Sequence, residues 1–125
     1  MAFINDFKEL IVYQKAFSLA MRIFEMSKTF PKEEQYSLTD QIRRSSRSIT
    51  ANLAESWSKR KYPKHFVSKL TDALGEEYET ENWLFYAKDC QYIDEATFNN
   101  LITDYLEIKK MLNSMIINPE KFTKY

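Results

Sequence analysis

The chain has 125 residues, of which 44% are hydrophobic and 29% charged, and its 18 basic and 18 acidic side chains give a formal net charge of zero. This length and composition fit one globular domain and exclude a disordered chain. The balanced charge excludes a protein that coats nucleic acid with its whole surface, although a local basic patch remains open. One glycine and three prolines favour long helices over a many-turned β fold.

A first helix is predicted from about Asp6 to Lys28, ending before Pro31 because proline cannot continue a helix. Its apolar residues recur at spacings of three and four and form two neighbouring stripes. The Leu10 stripe holds Leu10, Tyr13, Phe17, Ala20 and Phe24, and the Val12 stripe holds Val12, Ala16, Leu19, Ile23 and Met26. Together they cover about 200° of the helical wheel, against about 100° for an ordinary core-facing stripe. Because a helix in a single bundle buries only one stripe, we predict that the Val12 stripe is an oligomer interface.

The second helix is predicted to begin near Ser37, which is placed to cap it, with Asp40 three residues further on in a weak capping-box arrangement. Its inward stripe consists of Ile42, Ser46, Ile49, Leu53 and Trp57. This helix and the loop after it are strongly basic. The segment 40–61 contains only two acidic residues, Asp40 and Glu55, against six basic ones: Arg43, Arg44, Arg47, Lys59, Arg60 and Lys61.

The third helix is predicted from about Pro63, which is placed to start it, to Asp89. Glu77 and Glu81 fall within its apolar arc, where a simple core would not hold a carboxylate. Asp94 caps the fourth helix, whose apolar residues repeat as a regular seam: Phe98, Leu101, Tyr105, Ile108, Leu112 and Met115. We therefore expect one bundle domain at residues 1–118, followed by a loosely ordered tail at 119–125.

Four amphipathic helices with short connections predict an all-α, antiparallel up-down four-helix bundle. Helices two and three would turn near residue 61, so facing residues should have numbers that sum to about 124. Arg47 with Glu77, and Arg43 with Glu81, satisfy this rule. We predict that they form structural ion pairs, within the bundle or across a subunit interface. Replacing Glu77 by leucine would then strand Arg47 and lower the melting temperature.

The candidate nucleic-acid-binding residues are Arg44, Lys59, Arg60, Lys61 and Lys64. Three rings, those of Trp57, Tyr62 and His65, are interleaved with the basic residues of the loop between helices two and three. Such a combination grips phosphates and stacks on unpaired bases. The alternative is an ordinary solvated loop that keeps the protein soluble, which is the commoner explanation of an isolated charge cluster.

The sequence carries no pattern typical of an enzyme or a metal site. A di-iron bundle requires a glutamate three residues before each histidine ligand. The only histidine, His65, has no acid at that position. Cys90 lacks the companions of a zinc site, and it lies roughly 37 Å along one helix from His65, which excludes a Cys–His pair within one subunit. We therefore expect no catalysis, no metal and no cofactor.

Location and partners are predicted from equally simple features. Cys90 is the only cysteine, so an internal disulfide is excluded. No signal-peptide pattern is present at MAFINDFKEL, and the chain is therefore expected to be cytoplasmic. No apolar run is long enough to span a membrane, so no membrane partner is expected.

Three segments resemble the four-helix-bundle proteins encoded in intervening sequences of bacterial 23S rRNA genes. They are FKELIVYQKAFSLA in the first helix, LTDQIRRSSRSITANLAES in the second, and ALGEEYETENWLFYAKDCQYI in the third helix and the turn after it. The resemblance implies a ring-shaped homo-oligomer, typically a pentamer. It also implies a fold similar to the nucleic-acid-binding accessory variability determinant of retroelements. Departures from the family pattern are Arg47, Thr50, Ser56, Glu77 and the pair Cys90-Gln91.

The sequence is compatible with two functions. The first is a homo-oligomeric accessory module that binds RNA or DNA through the basic loop and a patch on helix two, and the resemblance favours it. The second is a structural or protein-interaction scaffold whose partner is another protein. The identity of any such partner is not encoded in a recognisable motif.

Overall fold

The fold consists mainly of four long helices. The structure is a computed structural model that describes residues 4–123. The long helices are α1 (Ile11–Ser27), α2 (Asp40–Trp57), α3 (Pro63–Asp89) and α4 (Glu95–Ile117), followed by a short α5 (Glu120–Thr123). Helix α2 packs between α1 and α3, and α4 closes the arrangement by packing against both α3 and α1. Residues 4–123 contain no β-strand. The predicted all-helical bundle is therefore confirmed.

The helices run up and down in the register that the sequence predicted. On the α2–α3 side, the Thr80 hydroxyl donates to Ser45 Oγ at 2.8 Å, and Lys69 Nζ lies 2.6 Å from Glu55 Oε2. Both pairs fit the antiparallel rule of a sum near 124. On the α1–α4 side, an ion pair of 2.6 Å joins Arg22 to Asp104. None of the helices in the described range is both long and apolar enough to cross a lipid bilayer.

The core is built from one stripe of each long helix. In α1 this is the Val12 stripe: Val12, Ala16, Leu19 and Ile23 are at most 4% exposed, and Met26 is partly buried. They pack with core residues of the other helices, among them Ile49, Leu70, Leu84, Ile108 and Leu112. Each fully buried aliphatic side chain stabilises the fold by about 1.5–3 kcal/mol.

This burial shows that the predicted role of the Val12 stripe was wrong. Its residues fill the core of their own subunit, so they are not available as an oligomer interface. The outward apolar surface of α1 lies instead on the other side, where Phe17 is 51% and Met21 is 47% exposed. Tyr13 is partly buried, and its ring lies 6.0 Å from that of Phe17.

The entry into α2 differs from the predicted Ser37 cap. A single π-helical turn, Gln35–Thr39, leads directly into Asp40. The carboxylate of Glu34 accepts hydrogen bonds from the Ser37 hydroxyl at 2.6 Å, the Tyr92 hydroxyl at 2.8 Å and the Leu38 backbone N–H at 3.4 Å. These bonds, the one from Ser37 first, hold the pKa of Glu34 below its usual value. The acid therefore ties the α1–α2 connection to the α3–α4 turn.

The C-terminal segment is more ordered than predicted. Residues 120–123 form a turn of helix, α5, in which the ring of Phe122 stacks 6.2 Å from that of the buried Phe66. This aromatic contact anchors α5 beside the start of α3. Residues 124 and 125, which belong to the predicted tail, lie outside the described residues.

Helix α3 ends in a Schellman motif whose left-handed residue is not a glycine. The backbone N–H of Tyr92 donates to the carbonyl of Ala87 at 2.9 Å, and that of Gln91 donates to Lys88 at 2.9 Å. Gln91 has φ = 64°, the left-handed conformation that glycine adopts at the least cost. Gln91 belongs to the pair Cys90-Gln91, which is one of the departures from the family pattern.

Replacing Gln91 by glycine should therefore stabilise the protein by about 1 kcal/mol, because the left-handed conformation costs a residue with a Cβ about 1–2 kcal/mol. The measurement is urea unfolding followed by circular dichroism. Gln41→Gly, inside α2, is the matched control, and it should lose about 0.5–1 kcal/mol. Equal losses in both variants would contradict the strain assigned to Gln91.

Candidate nucleic-acid interface

The basic loop, which we define as residues 58–65, consists of the connection between α2 and α3 together with the first three residues of α3, at the end of the bundle where α5 also packs. Between Glu55 and Asp72 the sequence holds five basic residues and no acidic one. Three of these, Lys59, Lys61 and Lys64, are exposed, and none of them makes an ion pair with a carboxylate within residues 4–123. Their charges are therefore available to an anion in solution.

Arg60 has a different role, because it is bound to the loop itself. Its guanidinium lies 3.5 Å from the centre of the Trp57 ring, and its Nε–H donates to the Trp57 carbonyl at 3.1 Å. Stacking of a guanidinium on an indole is a favourable cation–π contact. Arg60 thus shapes the end of α2, and it is a weaker candidate for a phosphate contact than the three exposed lysines.

Two aromatic rings stand beside these lysines. The ring of Tyr62 lies 5.7 Å from that of His65, at an angle of 44° between the planes, and Tyr62 is 56% exposed. Pro63 starts α3 between them, which fixes the backbone on which both rings are carried. The loop therefore presents exposed aromatic surface next to positive charge, as predicted.

Arg44 does not belong to this surface. It lies on the α3 side of α2, about 21 Å from the loop at 1.5 Å per residue. Burial raises the pKa of the Glu76 carboxyl above its usual value, and the nearby charge of Arg44 partly opposes this rise. The predicted set of five basic residues is thus divided into a loop cluster and one distant arginine.

The predicted ion pairs of Arg43 and Arg47 do not form within the described residues. The Arg43 Nε–H donates to Ser27 Oγ at 2.7 Å. Both guanidinium groups lie over the ring of Phe24, at 4.8 Å for Arg43 and 5.5 Å for Arg47. The two arginines therefore cover the α1–α2 side of the bundle, whereas Glu77 points into the core.

The acids of α3 are instead neighbours of α4. Lys109 Nζ lies 2.9 Å from Glu81 Oε2, and both side chains are largely buried. Glu77 is fully buried, and no donor within residues 4–123 bonds to its carboxylate oxygens. Burial, a hydrogen bond to Glu81 and the charge of Glu81 together raise the pKa of Glu77 well above 4.5. The raised pKa favours the protonated, uncharged form of Glu77.

Tyr105 of α4 adds a second buried polar group. Its hydroxyl has no hydrogen-bond partner among the described residues. Burial first, and the nearby Glu77 second, raise the pKa of Tyr105 far above its usual value. No sequence pattern identifies Tyr105 or Lys109 as a neighbour of these acids. Within residues 4–123, no three His, Cys, Asp or Glu side chains come together in a way that could hold a metal ion.

The bundle and its basic loop define the class of protein: a small all-helical bundle in which one end is basic and aromatic. The chain belongs to the 23S rRNA-intervening sequence protein family, whose model matches residues 8–114. The resemblance found in the sequence is thereby confirmed for the family. The comparison with the retroelement accessory protein stays a prediction.

A similar solved structure comes from Bacteroides thetaiotaomicron VPI-5482. It is the crystal structure of a protein of unknown function from the S23 ribosomal protein family. The two chains share 33% sequence identity with a TM-score of 0.77, and the match covers 85% of this chain and 98% of that one. No curated relative matches the chain.

Proposed function

We propose that the protein is a non-enzymatic accessory module that binds RNA or DNA through the basic loop and acts as a homo-oligomer. The supporting observation is the group of exposed lysines, Lys59, Lys61 and Lys64, which lack ion pairs in the described chain and lie beside the exposed Tyr62. Ammonium groups neutralise phosphates, and aromatic rings stack on bases.

Replacing the three lysines Lys59, Lys61 and Lys64 by glutamine tests this site. The plot of log affinity against log salt should become shallower. The magnitude of its negative slope should decrease by about 0.7–0.9 per lost phosphate contact, or by about two to three in all. Affinity at low salt should fall uniformly across sequences. The measurement is fluorescence anisotropy of labelled oligonucleotides over a range of salt concentrations.

The matched control removes three charges from the opposite end of the bundle: Lys28, Lys32 and Lys88 to glutamine. It should bind nearly as the wild type does. Equal losses in the two triple variants would contradict the loop as the site. No salt-dependent binding by the wild type would contradict nucleic-acid binding altogether and leave the protein-interaction scaffold as the function.

Assembly is proposed through the aromatic ridge, which we define as Tyr13, Phe17 and Met21 of α1. The occupant that we propose is a second copy of the chain. The opposite side of the bundle, between α3 and α4, also exposes apolar side chains: Tyr78 at 53%, Phe85 at 48% and Leu106 at 40%.

Two different apolar patches on opposite faces favour a heterologous, head-to-tail contact over a two-fold one. Such contacts form closed rings when the rotation between copies closes. The α1–α2 side carries Arg43 and Arg47 next to the ridge, and a neighbouring copy could supply acidic groups to them. In a ring the basic loop would recur once per subunit, and repeated weak sites add avidity.

A further inference from the structure

A small cavity, which is a depression open to solvent, lies directly beside the basic loop, on the first turns of α3. It has a volume of about 140 Å³ and is lined by Lys59, His65, Ser68 and Lys69. At about 30 Å³ per water molecule, it has room for four or five waters, which is comparable to a five-atom phosphate group and much smaller than a nucleoside. Each of the four lining side chains can donate a hydrogen bond, and none of them is acidic.

Lys69 is the member of the cavity that is already engaged. Its ammonium lies 2.6 Å from Glu55 Oε2 and 3.8 Å from Asp72 Oδ2. The hydrogen bond to Glu55 is the main cause that raises the pKa of Lys69, so this side chain keeps its charge. Both carboxylates are more than half exposed, and exposed ion pairs contribute little to stability. A phosphate at Lys69 must compete with Glu55 and Asp72, so Lys59 offers the main unpaired charge of the cavity.

His65 belongs both to the cavity and to the ring pair with Tyr62. A phosphate in the cavity thus lies next to an exposed aromatic surface. In a duplex each internal base is covered on both sides by its neighbours, so no base face is available to Tyr62. In a single strand the bases can splay out and stack on a ring.

We infer that the basic loop binds single-stranded nucleic acid, with one backbone phosphate in the cavity between Lys59 and Lys69 and the adjacent base stacked on Tyr62. This inference rests on the proposed function and specifies its ligand. The duplex binds more weakly, through Lys61 and Lys64 at its phosphates alone.

The test compares a sixteen-nucleotide oligothymidine with a GC-rich duplex of sixteen base pairs, by fluorescence anisotropy at low salt. Tyr62→Ala should weaken single-strand binding by between about fivefold and a hundredfold, the range measured for loss of one base–aromatic stack. It should leave duplex affinity within about twofold. Tyr36→Ala is the matched control, because Tyr36 is 86% exposed and lies at the other end of the bundle. That variant should bind both ligands as the wild type does.

A second variant tests the cavity without touching the rings. Ser68→Asp places a carboxylate among the lining side chains and should weaken single-strand binding about tenfold, with a salt slope lower by about one. Thr71→Asp, exposed one turn further along α3, adds the same charge outside the cavity and should cost much less.

The possible outcomes separate the inference from the proposed function. If salt-dependent binding occurs but Tyr62→Ala lowers duplex and single-strand affinity equally, or lowers neither, then the single-strand inference is overturned and the proposed function stands. Equal effects of Ser68→Asp and Thr71→Asp overturn the phosphate position. If neither ligand binds in a salt-dependent way, both are overturned.

Discussion

Replacing Glu77 by leucine should stabilise the protein by about 1–3 kcal/mol, which for a chain of this size is roughly 4–12 °C in melting temperature. This is the reverse of the effect that the sequence predicted. Glu77 is fully buried, receives no hydrogen bond from a donor in the described chain, and is not paired with Arg47. Leucine removes a desolvated carboxyl group from the core and fills much of its volume.

The partners of Glu77 determine how large this gain is. The variant loses the hydrogen bond from Glu77 to Glu81, which subtracts about 1 kcal/mol. Glu81 retains Lys109 at 2.9 Å, so no charge is stranded. Arg47 is unaffected, because its guanidinium lies over Phe24 on the other side of α2. The net effect therefore remains stabilising.

The same residue makes the stability of the wild type depend on pH. The pKa of Glu77 is raised in the folded state, so the native protein binds more protons than the unfolded chain above the ordinary value of 4.5. Stability then falls as the pH rises from 4.5 to the raised pKa, with a limiting slope of about 1.4 kcal/mol per unit. In Glu77→Leu this slope should be absent. Urea unfolding at several values of pH between 5 and 8 measures it.

Glu81→Leu is the matched control, since it removes the neighbouring carboxylate from the same helix. It should destabilise the protein by about 2 kcal/mol, because it leaves the largely buried Lys109 without its ion pair. A lower melting temperature for Glu77→Leu that is restored by Arg47→Val would instead support the original Arg47–Glu77 pair.

The register of α2 and α3 could be predicted from sequence, whereas the rotation of each helix about its axis could not. The numbering rule places Arg47 and Glu77 at the same height, and the contacts Ser45–Thr80 and Glu55–Lys69 confirm that height. Height alone does not say which way a side chain points. Arg47 faces α1, and Glu77 faces the core.

The same limitation explains the error in α1. Periodicity identified two apolar stripes correctly, but both are equally regular in sequence. Which stripe faces inward depends on three other helices that the pattern of α1 does not contain. A local signal did exist: Lys15 and Arg22 flank the Val12 stripe, and they pair with Glu107 and Asp104 of α4. Basic residues beside a core stripe are typical of its borders, where long side chains reach partners on the next helix.

The basic loop was the part of the candidate site that sequence predicted best. Its residues are consecutive, so the chain itself brings Lys59, Lys61 and Tyr62 together regardless of helix rotation. The cavity with Ser68 and Lys69 depends on the angle at which α3 leaves the loop. Arg44 shares the charge of the loop in the sequence, although about four helical turns separate them.

Replacing Phe17 and Met21 together by glutamate should convert an assembled wild type into single chains of 15.0 kDa at micromolar concentration, with helicity retained. Both side chains are about half exposed, so charges there are compatible with the folded subunit but not with an apolar contact between copies. Light scattering gives the mass, and circular dichroism gives the helix content. A wild type that already has the mass of one chain would overturn the proposed assembly.

Two controls separate the aromatic ridge from the core of the bundle. Leu19→Ser, in the Val12 stripe, should lose about 3 kcal/mol of stability, because Leu19 is 4% exposed in the core. If the Val12 stripe were the oligomer interface that the sequence predicts, a polar change there would instead give smaller, still helical species. Tyr36→Glu, exposed but distant from the ridge, should change neither mass nor helicity. If Leu19→Ser dissociates the assembly without loss of stability and the ridge variant stays assembled, then the Val12 stripe is the contact after all.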